Sequence, residues 1–406
     1  MTELPTLLSG KYLAKISPYL PRLPRKKHSE LNKHHPAELN SFRGEFQGYN
    51  NDAARKRFFN GTIFRFPLRK QPSEISKTLY GEEKIMELFR VLQDRAYMNL
   101  LFLKSLERIE VFVQDVKQSK PRLLFSVCVT NENSDTSVLQ TRAEFFRELQ
   151  VAGNVPVKKQ CHFTYQIDIE TSLPEDDSHC QSFLVCHYYD GCEVSSTMKE
   201  LIDDKELSYQ PLVSVAMPLC EEICEDSEQK GHIFCFLPLP IRDNTSPTGL
   251  PVHVSSFFVV SSNRSEIKWP TAGQNREQMS DSSLKWNHCL LTELIPKAYA
   301  QLLLDATGEP TVQSEDVYHA FPDIDLVDEK WRNTFLEPFL QNVLSLPILA
   351  TEGGNKSYVS VRDAVLCPPN IDEKTRLVLI QLLTESGYNA VCPPEHISRV
   401  LKSRRD

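Results

Sequence analysis

In the stretch Cys161-His162-Phe163-Thr164-Tyr165-Gln166-Ile167-Asp168-Ile169-Glu170, apolar and polar residues alternate without a break. Successive side chains of a β-strand point to opposite faces, so Cys161, Phe163, Tyr165, Ile167 and Ile169 share one side and the polar residues share the other. A strand with one wet face belongs to a sheet left open to water, which the all-parallel sheets of α/β proteins are not. Its surroundings agree. Phe125, Val127 and Val129 lie on one face of an upstream strand, while residues 183–189, 212–219, 233–237 and 252–260 supply four further strands. Residues 138–149 form the one clear helix among them, so the order is α+β and not the strict alternation of a doubly wound sheet.

Toward the amino terminus, Thr62-Ile63-Phe64-Arg65-Phe66 reads as a strand stopped by Pro67. Ile85, Leu88, Phe89, Leu92 and Ala96 then mark one face of a helix, and Ile109, Val111 and Val113 mark a second strand that closes a strand–helix–strand unit near residue 116. Residues 1–58 hold Pro18, Pro21, Pro24, Pro36 and a polar run at 26–35, and are expected to be a poorly ordered basic segment. Toward the carboxyl terminus the chain turns helical. Leu291, Leu294, Ile295, Ala298 and Leu302 form a buried stripe ended by Gly308, with Pro296 expected to kink the helix or mark its start. Trp331, Phe335, Phe339 and Val343 repeat every four residues, and an apolar helix at 377–383 opens on Asp372 as N-cap and closes at Gly387. The expected organisation is therefore 1–58, 59–116, a strand-rich α+β middle domain at 117–280, and a mainly helical part at 281–406.

At 406 residues, 40% hydrophobic and 25% charged, the chain has material for two or three globular domains. No stretch approaches the roughly 20 apolar residues of a membrane span, and the first residues lack a signal peptide's layout, so a soluble cytoplasmic protein is expected. Eleven scattered cysteines, an odd number, read as reduced thiols. The net charge of −8 speaks against a nucleic-acid partner. Residues 1–70 nevertheless carry 14 Lys or Arg against 5 Asp or Glu, so Arg25-Lys26-Lys27 and Arg55-Lys56-Arg57 either face phosphates or are solvated loop charges.

Few residues suggest chemistry. Cys220, Cys224, His232 and Cys235 are types that suit zinc, but their spacing matches no ordinary framework and His232 and Cys235 fall on opposite faces of a strand, so no metal is expected. The neighbours Cys161-His162, His179-Cys180 and Cys186-His187 read as buried thiols beside strand histidines. No Gly-x-Ser-x-Gly turn and no cysteine-protease signature is present. Arg65 and Arg69, four apart on one strand face, either clamp an anion or cover a sheet edge. Phe58, Phe59, Phe64 and Phe66 are either core or a client-binding patch.

Several separated strings resemble one family. Phe59-Asn60-Gly61-Thr62-Ile63-Phe64-Arg65-Phe66-Pro67-Leu68-Arg69 with Ser73-Glu74-Ile75-Ser76, then Leu100-Leu101-Phe102-Leu103-Lys104-Ser105, are similar to segments of the sacsin-repeat family. So are Phe234-Cys235-Phe236-Leu237-Pro238-Leu239-Pro240, Gly249-Leu250-Pro251-Val252-His253-Val254, Ser262-Asn263-Arg264, Trp286-Asn287 and Ala298-Tyr299-Ala300, in matching order across most of 59–305. Trp331-Arg332 and Ser357-Tyr358-Val359-Ser360 resemble it more weakly. The resemblance implies that residues 59–116 are the terminal section of a GHKL-type nucleotide-binding fold, like that of the ninety-kilodalton heat-shock chaperone. The Glu-x-x-x-Asn-x-x-Asp helix and the Gly-rich motifs of such folds are not found ahead of Gly61, and Gly10, Gly44 and Gly48 are too sparse to cradle phosphates.

The resemblance thus implies a chaperone-type scaffold or interaction module, not an enzyme by itself and without a cofactor, whose partners are client proteins or other chaperones. The alternative is half of an ATPase whose ATP and Mg²⁺ motifs lie upstream. In that reading Gly61 and Thr62 border the adenine site and Arg264 meets the γ-phosphate. Otherwise Gly61-Thr62 is a strand start and Arg264 an exposed turn residue. Ser17, Ser255 and Ser265 stand where the family more often shows an acidic residue, Asn and a second Arg.

Overall fold

The computed structural model describes residues 10–14 and 68–402, apart from 75, 105, 116–120, 131–136, 151–157, 175–177, 205–208, 220–230, 236, 240–247, 263–265, 271–278, 353–356 and 369–370. The chain divides into two compact units, one of residues 1–130 with 169–180 and the other of 131–168 with 181–406. The fold is α+β, as the alternation at 161–170 predicts. The strand expected at 62–66 and the basic clusters lie outside the described residues.

In the first unit, β1 (Gly10–Ala14), β2 (Arg108–Asp115) and β3 (Arg122–Thr130) run antiparallel in that order. Val111 sits opposite Phe125 and Ile109 opposite Val127, so the β-branched and aromatic side of the pair is the buried one. Helix α1 (Glu82–Asp94) has no buried residue and exposes Leu88 and Val91. The following α2 (Ala96–Leu101) buries Ala96, Met98, Leu100 and Leu101 and packs on β3.

The second unit holds α3 (Ser137–Gln150), most of β4 (Gln160–Ser172) and β5 (His179–Asp190), and α4 (Ser196–Asp203). It continues with β6 (Leu212–Leu219), β7 (Ile233–Cys235), β8 (Leu237–Pro238) and β9 (His253–Ser256). Sheet order is β4-β5-β6-β9-β7-β8, antiparallel at β5–β6 and β6–β9 and parallel at β7–β9. The alternation in β4 is observed: Tyr165, Ile167 and Ile169 are buried and the residues between them are partly exposed.

Helices cover this sheet and share its core. α5 (Ser282–Cys289), capped by the Asp281 carboxylate on the Ser283 N–H at 2.8 Å, runs through a π turn at Leu290–Leu294 into α6 (Ile295–Gly308). α7 (Ser314–His319) and α8 (Glu329–Trp331) follow, and a second π turn at Arg332–Leu336 leads into α9 (Glu337–Val343). Pro296 therefore marks the start of a helical segment within a continuous rod, and Pro338 stands in the same place in the second rod. A proline has no N–H to donate and its ring crowds the carbonyl four residues back, and the wider π turn makes room for both defects.

Trp331, Phe335, Phe339 and Val343 are all fully buried, and the Tyr299 ring lies 5.8 Å from Phe335 and 4.8 Å from Phe339. One apolar core joins these side chains to Val213, Val215 and Val254 of the sheet.

The tail is less uniformly helical than its sequence suggests. β10 (Leu349–Ala350) pairs with β11 (Tyr358–Val359), and β12 (Ala364–Leu366) pairs in parallel with β13 (Asn389–Val391) across helix α10 (Glu373–Glu385), before α11 (Glu395–Lys402). The predicted ends of α10 are found. Asp372 accepts the Thr375 N–H at 3.1 Å, and Gly387 takes φ +78° while Tyr388 and Gly387 donate back to Leu383 and Thr384. Those two bonds satisfy the helix's last carbonyls, and the left-handed turn favours glycine.

Candidate functional site

After β9 the chain forms a short hairpin. Val260 bridges Ile267, Lys268 N–H donates to the Val259 carbonyl at 2.8 Å, and Ser261 N–H donates to Glu266 at 2.8 Å. Its tip, 263–265 with Arg264, lies outside the described residues, and so do Gly61, Thr62 and Arg65. The root is held by one side chain. Asn287 of α5, fully buried, accepts the Val259 N–H through Oδ1 at 2.9 Å. Through Nδ2 it donates to the Val259 carbonyl at 2.8 Å and the Lys268 carbonyl at 2.7 Å.

A carboxamide carries the donors and acceptor of a peptide unit, so Asn287 acts on the hairpin as a neighbouring strand would, gripping both legs at once. Beside it, the Trp286 Nε1–H donates to the Phe257 carbonyl at 2.8 Å. The Trp286-Asn287 string was legible only as a resemblance. An Asn amid Trp286, Cys289 and Leu290 on a helix is the signal that could have suggested a buried polar group, without saying what it ties.

The Gly249-Leu250-Pro251 string is a second tie. The Thr248 hydroxyl donates to the Gly231 carbonyl at 2.8 Å and accepts the Leu250 N–H at 3.0 Å, and the Asp328 N–H donates to the Thr248 carbonyl at 3.0 Å. Gly249 has φ +65°, and a Cβ there would lie 2.0 Å from the Leu326 carbonyl oxygen, so both conformation and space demand glycine. From the same string, His253 accepts the His232 backbone N–H through Nδ1 at 3.1 Å. Burial, and secondarily His232, pushes its pKa down to about 3, so its imidazole is neutral.

Two further buried polar groups are structural in form. His187 lies between Ser214 (Nδ1 to Oγ, 2.6 Å) and Tyr165 (Nε2 to the hydroxyl, 3.1 Å), against the rings of Phe145 and Phe146. Ser214, His187 and Tyr165 are all buried, so this serine–histidine contact has no face open to a substrate. The sealed Asp190 carboxylate is paired with Lys297 at 2.9 Å and accepts the N–H groups of Cys192 and Glu193.

Burial raises the Cys186 thiol to about 12 and the Cys235 thiol to about 11, which keeps both protonated at neutral pH. Among the described residues, Cys128, Cys161, Cys186, Cys192, Cys235, Cys367 and Cys392 are free thiols. Of the zinc-type set, Cys220 and Cys224 lie outside the described residues, and Cys235 donates weakly to the Phe258 carbonyl at 3.9 Å. Arg69 is spent locally on the Ser73 hydroxyl and the Ser76 carbonyl.

The class defined by these features is an α+β protein whose sheet and helices are tied together by buried amide, hydroxyl and imidazole groups, with a hairpin projecting from one such tie. Its relationships are specific. The Sacsin domain family model matches residues 1–126. Human sacsin is 32% identical over 313 residues, covering 72% of this chain and 6% of that protein. No solved structure matches. The chain belongs to the sacsin family, and it spans about 6% of the length of the curated relative it matches.

Proposed function

We propose that this chain is a chaperone-type scaffold or protein-interaction module of the sacsin family, acting in the cytoplasm on client proteins or other chaperones and holding no ATP site of its own. Residues 59–116 are, in this reading, the terminal section of a GHKL-like ATPase fold. The observation that carries it is how the polar side chains of the family strings are used. Asn287 and His253 of these strings, and Thr248 beside them, hydrogen-bond backbone groups from buried positions, which builds a rigid frame. The free thiols agree with a reducing compartment, and among the described residues no helix is long and apolar enough to cross a membrane. The test is a turnover assay with calorimetry on the purified chain. No Mg²⁺-dependent hydrolysis and no ATP binding are expected, and steady turnover would sink the proposal.

One observation favours the second reading, half of an ATPase completed by upstream sequence: Asn287 holds both legs of the hairpin whose sequence carries Arg264. A fixed guanidinium stabilises charge developing on a transferring phosphoryl group. In a form fused to its upstream sequence, Arg264→Ala then lowers ATP hydrolysis by more than roughly tenfold, and an unchanged rate assigns Arg264 to an ordinary turn.

A further inference from the structure

Helix α10 has an inner side that is accounted for and an outer side that is not. Leu379, Ile380 and Leu383 pack with Cys367, Ala390 and Cys392. On the outer side Leu377, Val378 and Leu382 are 58%, 57% and 56% exposed, and Tyr388 just beyond the helix is 59% exposed. A surface helix normally turns charged and polar residues outward, so clustered large aliphatic side chains there mark an interaction site. At about 100° per residue, Lys374, Val378, Gln381 and Glu385 fall on the centre line of this face, with Leu377 and Leu382 on its two flanks. Their spacing of four, three and four is that of facing positions on paired helices, with Val378 the apolar one among them and Leu377 and Leu382 supplying the rest of the apolar surface.

We propose that this face docks the same face of a second copy of the chain, the two α10 helices lying antiparallel about a two-fold axis. The charges select both occupant and direction. Lys374 stands at the amino-terminal end of the seam and Glu385 at its carboxyl-terminal end. Antiparallel pairing therefore sets each Lys374 against the partner's Glu385 and each Val378 against the partner's Gln381. Parallel pairing instead stacks lysine on lysine and glutamate on glutamate. A two-fold interface requires a self-complementary patch, and a centre of Val378 and Gln381, flanked by Leu377 and Leu382 and closed by opposite charges at its two ends, is one. Opposed helix dipoles favour the same arrangement. The patch is on the order of a few hundred Å² per copy, the size of a weak, reversible interface and not of a permanent dimer.

The inference does not rest on the proposed function, because its readout is mass and not nucleotide turnover. Sedimentation velocity of the whole chain, in a dilution series from micromolar to millimolar, is expected to show a reversible monomer–dimer equilibrium. Leu382→Glu, on the surface, abolishes it while the thermal melt stays unchanged. Lys374→Glu weakens the dimer by roughly tenfold or more, and adding Glu385→Lys to the same chain restores it. Zero-length coupling of isotopically light and heavy copies joins Lys374 to Glu385. A chain that stays monomeric throughout, or a dimer indifferent to Lys374→Glu, overturns the proposal, the first outcome leaving this face to another segment or protein.

Discussion

Helices α6 and α10 are both rich in leucine, with Leu302-Leu303-Leu304 in one and Leu377-Val378-Leu379-Ile380 and Leu382-Leu383 in the other. Eight side chains of α6 are buried, from Ile295 to Ala306, against one of α10, Ile380. The difference lies in what surrounds them. α6 touches β6, α7, the π turn before it and α9, while α10 leans on the small β12–β13 pair and faces water on its other side. Apolar composition therefore tells that a helix wants cover, and the neighbours decide whether its own fold supplies it.

The sharpest way to break that comparison is to truncate the buried member. Tyr299→Ala removes a ring stacked on Phe335 and tilted against Phe339 and a hydroxyl donating to the Ala320 carbonyl at 2.5 Å, and is expected to cost about 3–5 kcal/mol in urea unfolding. Asn287→Ala, one helix earlier, leaves the Val259 and Lys268 backbone groups without their buried partner. We expect a loss of about 2–3 kcal/mol and faster hydrogen exchange at the Val259 amide. Asn287→Asp does not rescue, since a carboxylate cannot donate to either carbonyl.

Acid tests the sheet side of the same core. The folded pKa of His253 lies near 3 against an ordinary value of 6.5, so the unfolded chain takes up a proton that the folded one refuses. Its contribution is fully present above pH 6.5 and is lost as the pH falls toward 3, at up to about 1.4 kcal/mol per pH unit, or about 2 kcal/mol by pH 5. In NMR titration the His253 ring should not shift between pH 7 and 5. A ring that titrates near 6.5 would refute the burial argument. The smallest effect belongs to α10: Leu382→Ser should change monomer stability by less than about 0.5 kcal/mol, and a larger loss would mean that its outer face is packed within the monomer.

Strand β4, the ends of α10 at Asp372 and Gly387, and the burial of Trp331, Phe335, Phe339 and Val343 were legible in the sequence. Each depends on local stereochemistry or on a repeat that one segment carries by itself. The exposure of Leu377, Val378 and Leu382 was not legible, because periodicity sorts residues by side and says nothing of what stands opposite. Nor was the grip of Asn287 on Val259 and Lys268, which joins residues 19 and 28 positions away and so leaves no local pattern. The π turn before Pro296 stood between these cases: the proline announced a break, but the form of the break, repeated before Pro338, depended on a core that kept each rod continuous.

That second π turn settles a matter of phase. Four residues of α-helix overshoot a full turn by about 40°, so a strict four-residue repeat drifts steadily around the rod. Trp331, Phe335, Phe339 and Val343 span three such steps and would fan through about 120°, enough to carry the last of them out of the core. The extra residue held in the wider turn at Arg332–Leu336 rotates the chain less per position and takes back much of the drift, and all four side chains end fully buried. Removing one residue from that turn would therefore do little more than shorten the rod: the rotation of about 100° lost with the residue is offset by the closing of the wide turn to ordinary α-helix, and Phe339 and Val343 keep their side toward Tyr299.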